Sequence, residues 1–77
     1  MNDSEVQAHI EALVAEEQRL YAAGGHTDEE RARLEEIRVS LDRYWDLLRQ
    51  RRAQEEFGLD PDEAEMRPAD TVERYQQ

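Results

Sequence analysis

Apolar residues recur at helical spacing in two stretches of the chain. In the first, Val6, Ile10, Leu13 and Leu20 fall at alternating steps of four and three, with Glu17 at the skipped position. Val14 and Tyr21 widen the stripe on one side. In the second, Leu34, Ile37, Leu41, Tyr44 and Leu48 follow steps of three and four. This is the seam of an amphipathic helix with coiled-coil spacing. Polar residues mark where each helix begins. Ser4 with Gln7 and Thr27 with Glu30 are spaced as capping boxes, and the acids beside them suit the positive end of the helix dipole. Gly24-Gly25 and Gly58 supply residues that readily take the left-handed conformation past a helix end. The pattern predicts helices over 4–23 and 28–56 joined by a turn over 24–27.

So short a turn forces an antiparallel hairpin. The two seams fall into register when paired positions sum to 54: Leu20 with Leu34, Glu17 with Ile37, Leu13 with Leu41, Ile10 with Tyr44, Val6 with Leu48. In this register helix one runs out near Asp3, opposite Arg51, and helix two overhangs. Trp45, Leu47 and Phe57 lie around the overhang, where a two-helix hairpin does not cover them. Trp45 and Leu47 flank the seam on opposite sides, and so wide an apolar arc needs more than one neighbour. A second copy completing a four-helix bundle is the preferred solution, with the tail folding back to help.

The tail, 58–77, is acidic. Asp60-Pro61-Asp62-Glu63 is a helix start, with Asp60 as N-cap and Pro61 in the first turn, and it predicts a short helix from about 61 to 66. Arg67 precedes Pro68 and is pushed to an extended conformation. A last turn from Pro68 to Tyr75 places Val72 and Tyr75 on one face. Two prolines, many acids and few apolar residues leave two options, an ordered strap or partial disorder.

Composition narrows the partners. Seventy-seven residues make one small domain, marginal as a lone monomer. There is no Cys, so neither a disulfide nor a Cys-based metal site is expected, and association is the remaining source of stability. Twenty acids against ten Arg give net −10, which disfavours DNA and anionic membranes and suits a basic or mixed-charge protein surface. The N-terminus lacks the basic and apolar regions of a signal peptide, and no apolar run is long enough to span a bilayer, so the expected location is cytoplasmic.

Candidate chemistry is sparse. Glu17 in the seam reads as a register-setting or Arg-paired carboxylate, with Arg33 or Arg38 as partner. A metal site built on His9, Glu16 and Glu17 lacks the Glu-x-x-His pairs of di-iron bundles. His9 reads as a surface residue near Leu47, and His26 belongs to the turn. Neither faces a plausible nucleophile, and Gly24-Gly25 lacks the spacing and Lys of a phosphate loop. No catalytic, cofactor or metal residues are assigned, and the chain is expected not to be an enzyme. The Arg cluster around Tyr44 and Trp45 is the sharpest functional candidate. Basic and aromatic residues together bind phosphates or bases, but Asp42, Asp46, Glu55 and Glu56 dilute it. Pairs such as Glu35–Arg38, Asp42–Arg49 and Asp46–Arg49 read as surface electrostatics. Arg and Trp are also typical interface anchors. The interface candidates are Tyr44, Trp45, Leu47, Leu48, Arg49, Arg52 and Phe57. An acidic regulator or decoy of a nucleic-acid-binding protein is the alternative role.

The run Trp45-Asp46-Leu47-Leu48-Arg49-Gln50-Arg51-Arg52 and the turn Asp60-Pro61-Asp62-Glu63-Ala64, within an acidic helical frame, resemble a family of short actinobacterial proteins catalogued only as a domain of unknown function. The resemblance spans nearly the whole chain. It implies a small cytoplasmic helical protein and no activity. The actinobacterial ubiquitin-like modifier is similar in size and acidity but ends in a Gly-Gly tail; this chain ends Glu73-Arg74-Tyr75-Gln76-Gln77.

Overall fold

A computed structural model of the chain describes residues 1–24 and 27–75, the last two by backbone alone. Gly25 and His26 of the expected turn, and the side chain of Tyr75, lie outside the described residues. The element order is α1 (Asp3–Ala22), α2 (Asp28–Glu56), a 3-10 turn (Pro61–Glu63) and α3 (Ala69–Tyr75). The described residues contain no strand, and the fold is an all-α hairpin with a short helical tail.

α1 is capped by Asn2 rather than Ser4. The Asn2 side chain accepts from the Glu5 amide at 2.8 Å, and the Asn2 amide donates back to the Glu5 carboxylate at 3.5 Å. This box competes with Ser4–Gln7 two residues later in the chain. It wins because Asn caps as well as Ser, and because Glu5 brings a charge that the dipole favours and Gln7 does not. At the far end Ala23 is still right-handed, and Gly24 takes the positive φ, 113°. α2 begins as the sequence predicts: Thr27 Oγ1 accepts from the Glu30 amide at 3.0 Å, and the Thr27 amide donates to Glu30 at 3.2 Å. It ends in a Schellman motif. Gly58 (φ 72°) donates to Glu55 O at 3.1 Å and Leu59 to Gln54 O at 2.7 Å.

The predicted register holds at the open end of the hairpin, where Arg51 Nε donates to Asp3 at 2.6 Å. Val6, Ile10, Leu47 and Leu48 form the buried cluster there, with Val14, Leu41 and Tyr44 packed against it. Toward the turn Ile37 is buried, while Leu13, Leu20 and Leu34 are half-buried. The difference has a cause in the tail. Residues from Leu59 onward turn back along α2 from Arg51 to Arg38, with Ala64 and Met66 packed on the core cluster. Leu47, which a bare hairpin leaves uncovered, is 5 % exposed.

The tail is therefore an ordered strap, but its first helix is shorter than 61–66. Asp60 does cap it, accepting from the Asp62 amide at 2.9 Å, and Pro61 sits in its first turn. By Ala64 the backbone is already extended (φ −66°, ψ 137°). Pro68 disfavours helix at Arg67, and side chains of α2 hold the extended stretch: Gln50 donates to Glu65 O and Arg43 to Arg67 O, each at 2.9 Å. After Pro68 the chain coils again into α3, which buries Val72.

The Cα extents, 46 × 26 × 14 Å, are those of a single layer of helices about as long as α2 itself, roughly 44 Å for 29 residues. The radius of gyration, 14.3 Å, exceeds the roughly 11.5 Å expected of a compact domain of this length. Among the described residues no helix is long and apolar enough to cross a membrane.

Candidate interaction surface

α2 meets the strap through polar side chains in its second half. Asp46 and Leu47 are adjacent and both buried, so Leu47 enters the core while Asp46 faces the strap. The Asp46 carboxylate accepts from both prongs of the Arg67 guanidinium, at 2.7 Å from Nε and through a second bond from Nη2. Gln50 Nε2 adds a third bond at 2.9 Å. Hydrogen bonding from Arg67, reinforced by Gln50 and the positive charges nearby, outweighs desolvation and holds the Asp46 carboxyl below its ordinary range. Asp46 is thus a clasp for the strap. Its contact with Arg49, at 4.0 Å, is loose.

Arg51 is the second clasp, with its side chain 5 % exposed. Besides Asp3 it donates to Asp62 at 3.0 Å, to Pro61 O at 3.1 Å and to Met1 O. One guanidinium joins the start of α1, the end of α2 and the start of the strap. Its hydrogen bonds to Asp3 and then Asp62 raise its already high pKa, so it is charged at all relevant pH. Farther along, Arg38 donates to Glu73 at 3.1 Å, and also to Glu35 and Asp42 on its own helix. Asp42 therefore pairs with Arg38; no Asp42–Arg49 bridge forms among the described ion pairs.

The candidates for metal or acid–base chemistry do not gather. Glu16, not Glu17, takes Arg33, in a two-pronged pair at 2.5 and 2.7 Å. That bonding pulls the Glu16 carboxyl below its ordinary range. Glu17 is half-buried beside Tyr21, Leu34 and Arg38. His9 is exposed and stacks on Tyr44, not Leu47, with ring centroids 5.0 Å apart and planes 9° apart. Among the described residues no three His, Asp or Glu converge as a metal site.

The interface candidates divide by burial. Leu47 and Leu48 lie inside the chain's own core, 5 % and 1 % exposed, and Tyr44 is half-buried under His9. Trp45 keeps 45 % of its surface. Arg49 and Arg52, one and two turns on, share its face of α2 and are exposed. Phe57 (79 %) and Leu59 (57 %) stand free where α2 gives way to the strap. The clasps were the part that sequence reasoning missed. Asp46 and Arg67 lie 21 residues apart with no periodicity to link them, and Arg51 reads as one more basic residue near a helix end. The available signals were an acid inside the apolar run Trp45-Asp46-Leu47-Leu48, and an Arg pinned extended by Pro68.

The hairpin, the polar-clasped strap and the mixed-charge face of α2 define a small, acidic, all-α protein. The chain belongs to the family described as "Protein of unknown function (DUF2630)", which matches residues 2–77. It is 54% identical over 77 residues to the uncharacterized protein Mb0922c of Mycobacterium bovis, covering 95% of this chain and 88% of that one. The uncharacterized protein Rv0898c of Mycobacterium tuberculosis matches with the same identity and coverage. These relatives agree with the actinobacterial resemblance. No solved structure matches the chain.

Proposed function

We propose that the chain is a small non-enzymatic protein-interaction module that self-associates. The observation that carries this reading is the exposure of Trp45. After the strap has covered Leu47, Trp45 remains 45 % exposed beside Arg49 and Arg52, and Phe57 stands bare at the end of the same helix. Large aromatics flanked by Arg are the residue types that anchor interfaces. The single-layer shape supports it too, because a layer 14 Å thick leaves a broad helical face open for a second copy to stack on. Arg49 and Arg52 against Glu55 and Glu56 give the end of α2 both signs, so a two-fold pair can match charges. Sedimentation across a concentration series, read with Trp45 fluorescence, tests this. A dimer with a blue-shifted Trp45 is the expected result, and a strict monomer with water-like emission would end the proposal.

The net charge of −10 favours a second reading, in which the acidic surface engages a basic nucleic-acid-binding protein as regulator or decoy. Binding to such a partner would weaken steeply with salt.

A further inference from the structure

We infer that the strap is exchangeable, and that the groove on α2 it occupies takes the strap of a second copy. The inference rests on the self-association proposed above and specifies its geometry. The strap runs antiparallel to α2 and is held by polar contacts to the body. Arg51 meets Pro61 and Asp62, Gln50 meets Glu65, Asp46 and Arg43 meet Arg67, and Arg38 meets Glu73. Each of these bonds forms equally well with a strap from another chain. Only residues 57–60 make the contact intramolecular, and all four are exposed.

That connection is a hinge whose closed form needs a left-handed residue, which glycine supplies at little cost. Gly58 must sit at φ 72° to reverse the chain. If residues 57–60 extend instead, the strap leaves its own body and reaches a partner's. Exchange of an identical element remakes every contact between strap and α2, at the loss of the two hydrogen bonds of the closed turn, and adds the crossing as new interface. The crossing brings together the side chains that the closed chain leaves bare: Phe57, 79 % exposed, and Leu59, 57 % exposed, from both copies. Glu55, Glu56 and Asp60 of the two copies also meet there, so raised salt favours the dimer.

Charge reversal at the clasp tests exchange with the full-length chain. Asp46→Arg and Arg67→Asp each place like charges at the clasp, whether the strap stays home or swaps within one variant. Mixed in equal amounts, the D46R body accepts the R67D strap and the R67D body accepts the D46R strap, but only in an exchanged heterodimer. The expected result is a heterodimer of twice the 9.1 kDa chain mass on mixing, with strap amide protection restored to that of the wild type. A mixture that keeps the separate masses and protection of its two components overturns exchange. If the wild type dimerises and the mixture does not complement, self-association stands and exchange falls; if the wild type is monomeric, both fall. Gly58→Ala gives a second arm that leaves the clasp intact, since an added Cβ meets nothing within 4 Å. It penalises only the closed hinge, at about tenfold per chain, and two hinges open per dimer, so the association constant should rise roughly a hundredfold; no change or a fall overturns the hinge.

Discussion

The Asp46 carboxylate lies 2.7 Å from Arg67 Nε, and this pair fastens the extended middle of the strap to the centre of α2. The two partners are unequally exposed: the Arg67 side chain keeps 36 % of its surface and that of Asp46 keeps 4 %. Truncating them should therefore have unequal effects. Asp46→Ala frees an Arg that water can take up, and should cost about 1–2 kcal/mol. Arg67→Ala leaves a buried carboxylate with Gln50 and the loose Arg49 contact, and should cost about 3 kcal/mol. The upper limit in both cases is the docking free energy of the strap, because Asp46 regains water once the strap lifts. Urea denaturation of both variants checks the order, and hydrogen exchange over 64–75 shows whether the strap has lifted.

The same clasp should respond to acid. The folded Asp46 carboxyl is held below its unfolded value, so folding lowers its proton affinity. Its contribution is then fully present above the unfolded pKa, about 3.9, and is lost as pH falls through the lower folded value. Asp46→Asn removes this titration. The stability gap between wild type and Asp46→Asn should be constant from about pH 5 to 8 and close below about pH 4. A gap that persists at lower pH would show that the clasp does not depend on the ionised carboxylate.

The hairpin was legible because its determinants are local or periodic. Thr27 and Glu30 set the start of α2, Gly58 sets its end, and two matched stripes set the register that puts Arg51 on Asp3. The strap was legible only in its punctuation, at Asp60, Pro61 and Pro68. Its docking was not, because it depends on three carbonyls, of Pro61, Glu65 and Arg67, meeting Arg51, Gln50 and Arg43. Backbone acceptors leave no trace in side-chain patterning. The two buried charged residues among those described, Asp46 and Arg51, were obscured for the same reason: what buries them is the path of the tail. On the open face, Trp45 and Phe57 could be named as uncovered, but nothing in a single chain's periodicity says what covers them.

Arg51 offers a sharper stability test than any other Arg, because it ties together three separated pieces of chain. Arg51→Met keeps the length of the side chain and removes its donors. Asp3 and Asp62 are open enough to be rehydrated, while the carbonyls of Met1 and Pro61 lose a partner. The expected loss is about 2–3 kcal/mol, a large share of the stability of so small a domain. The denaturant slope should also fall, because an N-terminus and strap already loosened expose less surface on unfolding. A variant with unchanged slope and midpoint would deny Arg51 its joining role.

Trp45 and Leu47 stand two positions apart and should separate fold from surface. Leu47 packs with Val6, Ile10 and Leu48 under the strap, so Leu47→Ala opens a cavity there. In a structure one helix layer thick the cavity can partly collapse, and the expected cost is about 2–3 kcal/mol, the low end for a buried leucine. Trp45 is 45 % exposed and outside that cluster, so Trp45→Ala should leave thermal stability nearly unchanged when the protein is dilute. Its effect should appear as concentration rises. If Trp45 anchors association, the wild type gains stability with concentration by mass action and the variant does not. Melting curves at several concentrations read both effects in one series. Parallel melting curves for wild type and Trp45→Ala at every concentration would remove Trp45 from the interface and leave Phe57 and Leu59 at the hinge as the apolar surface to explain.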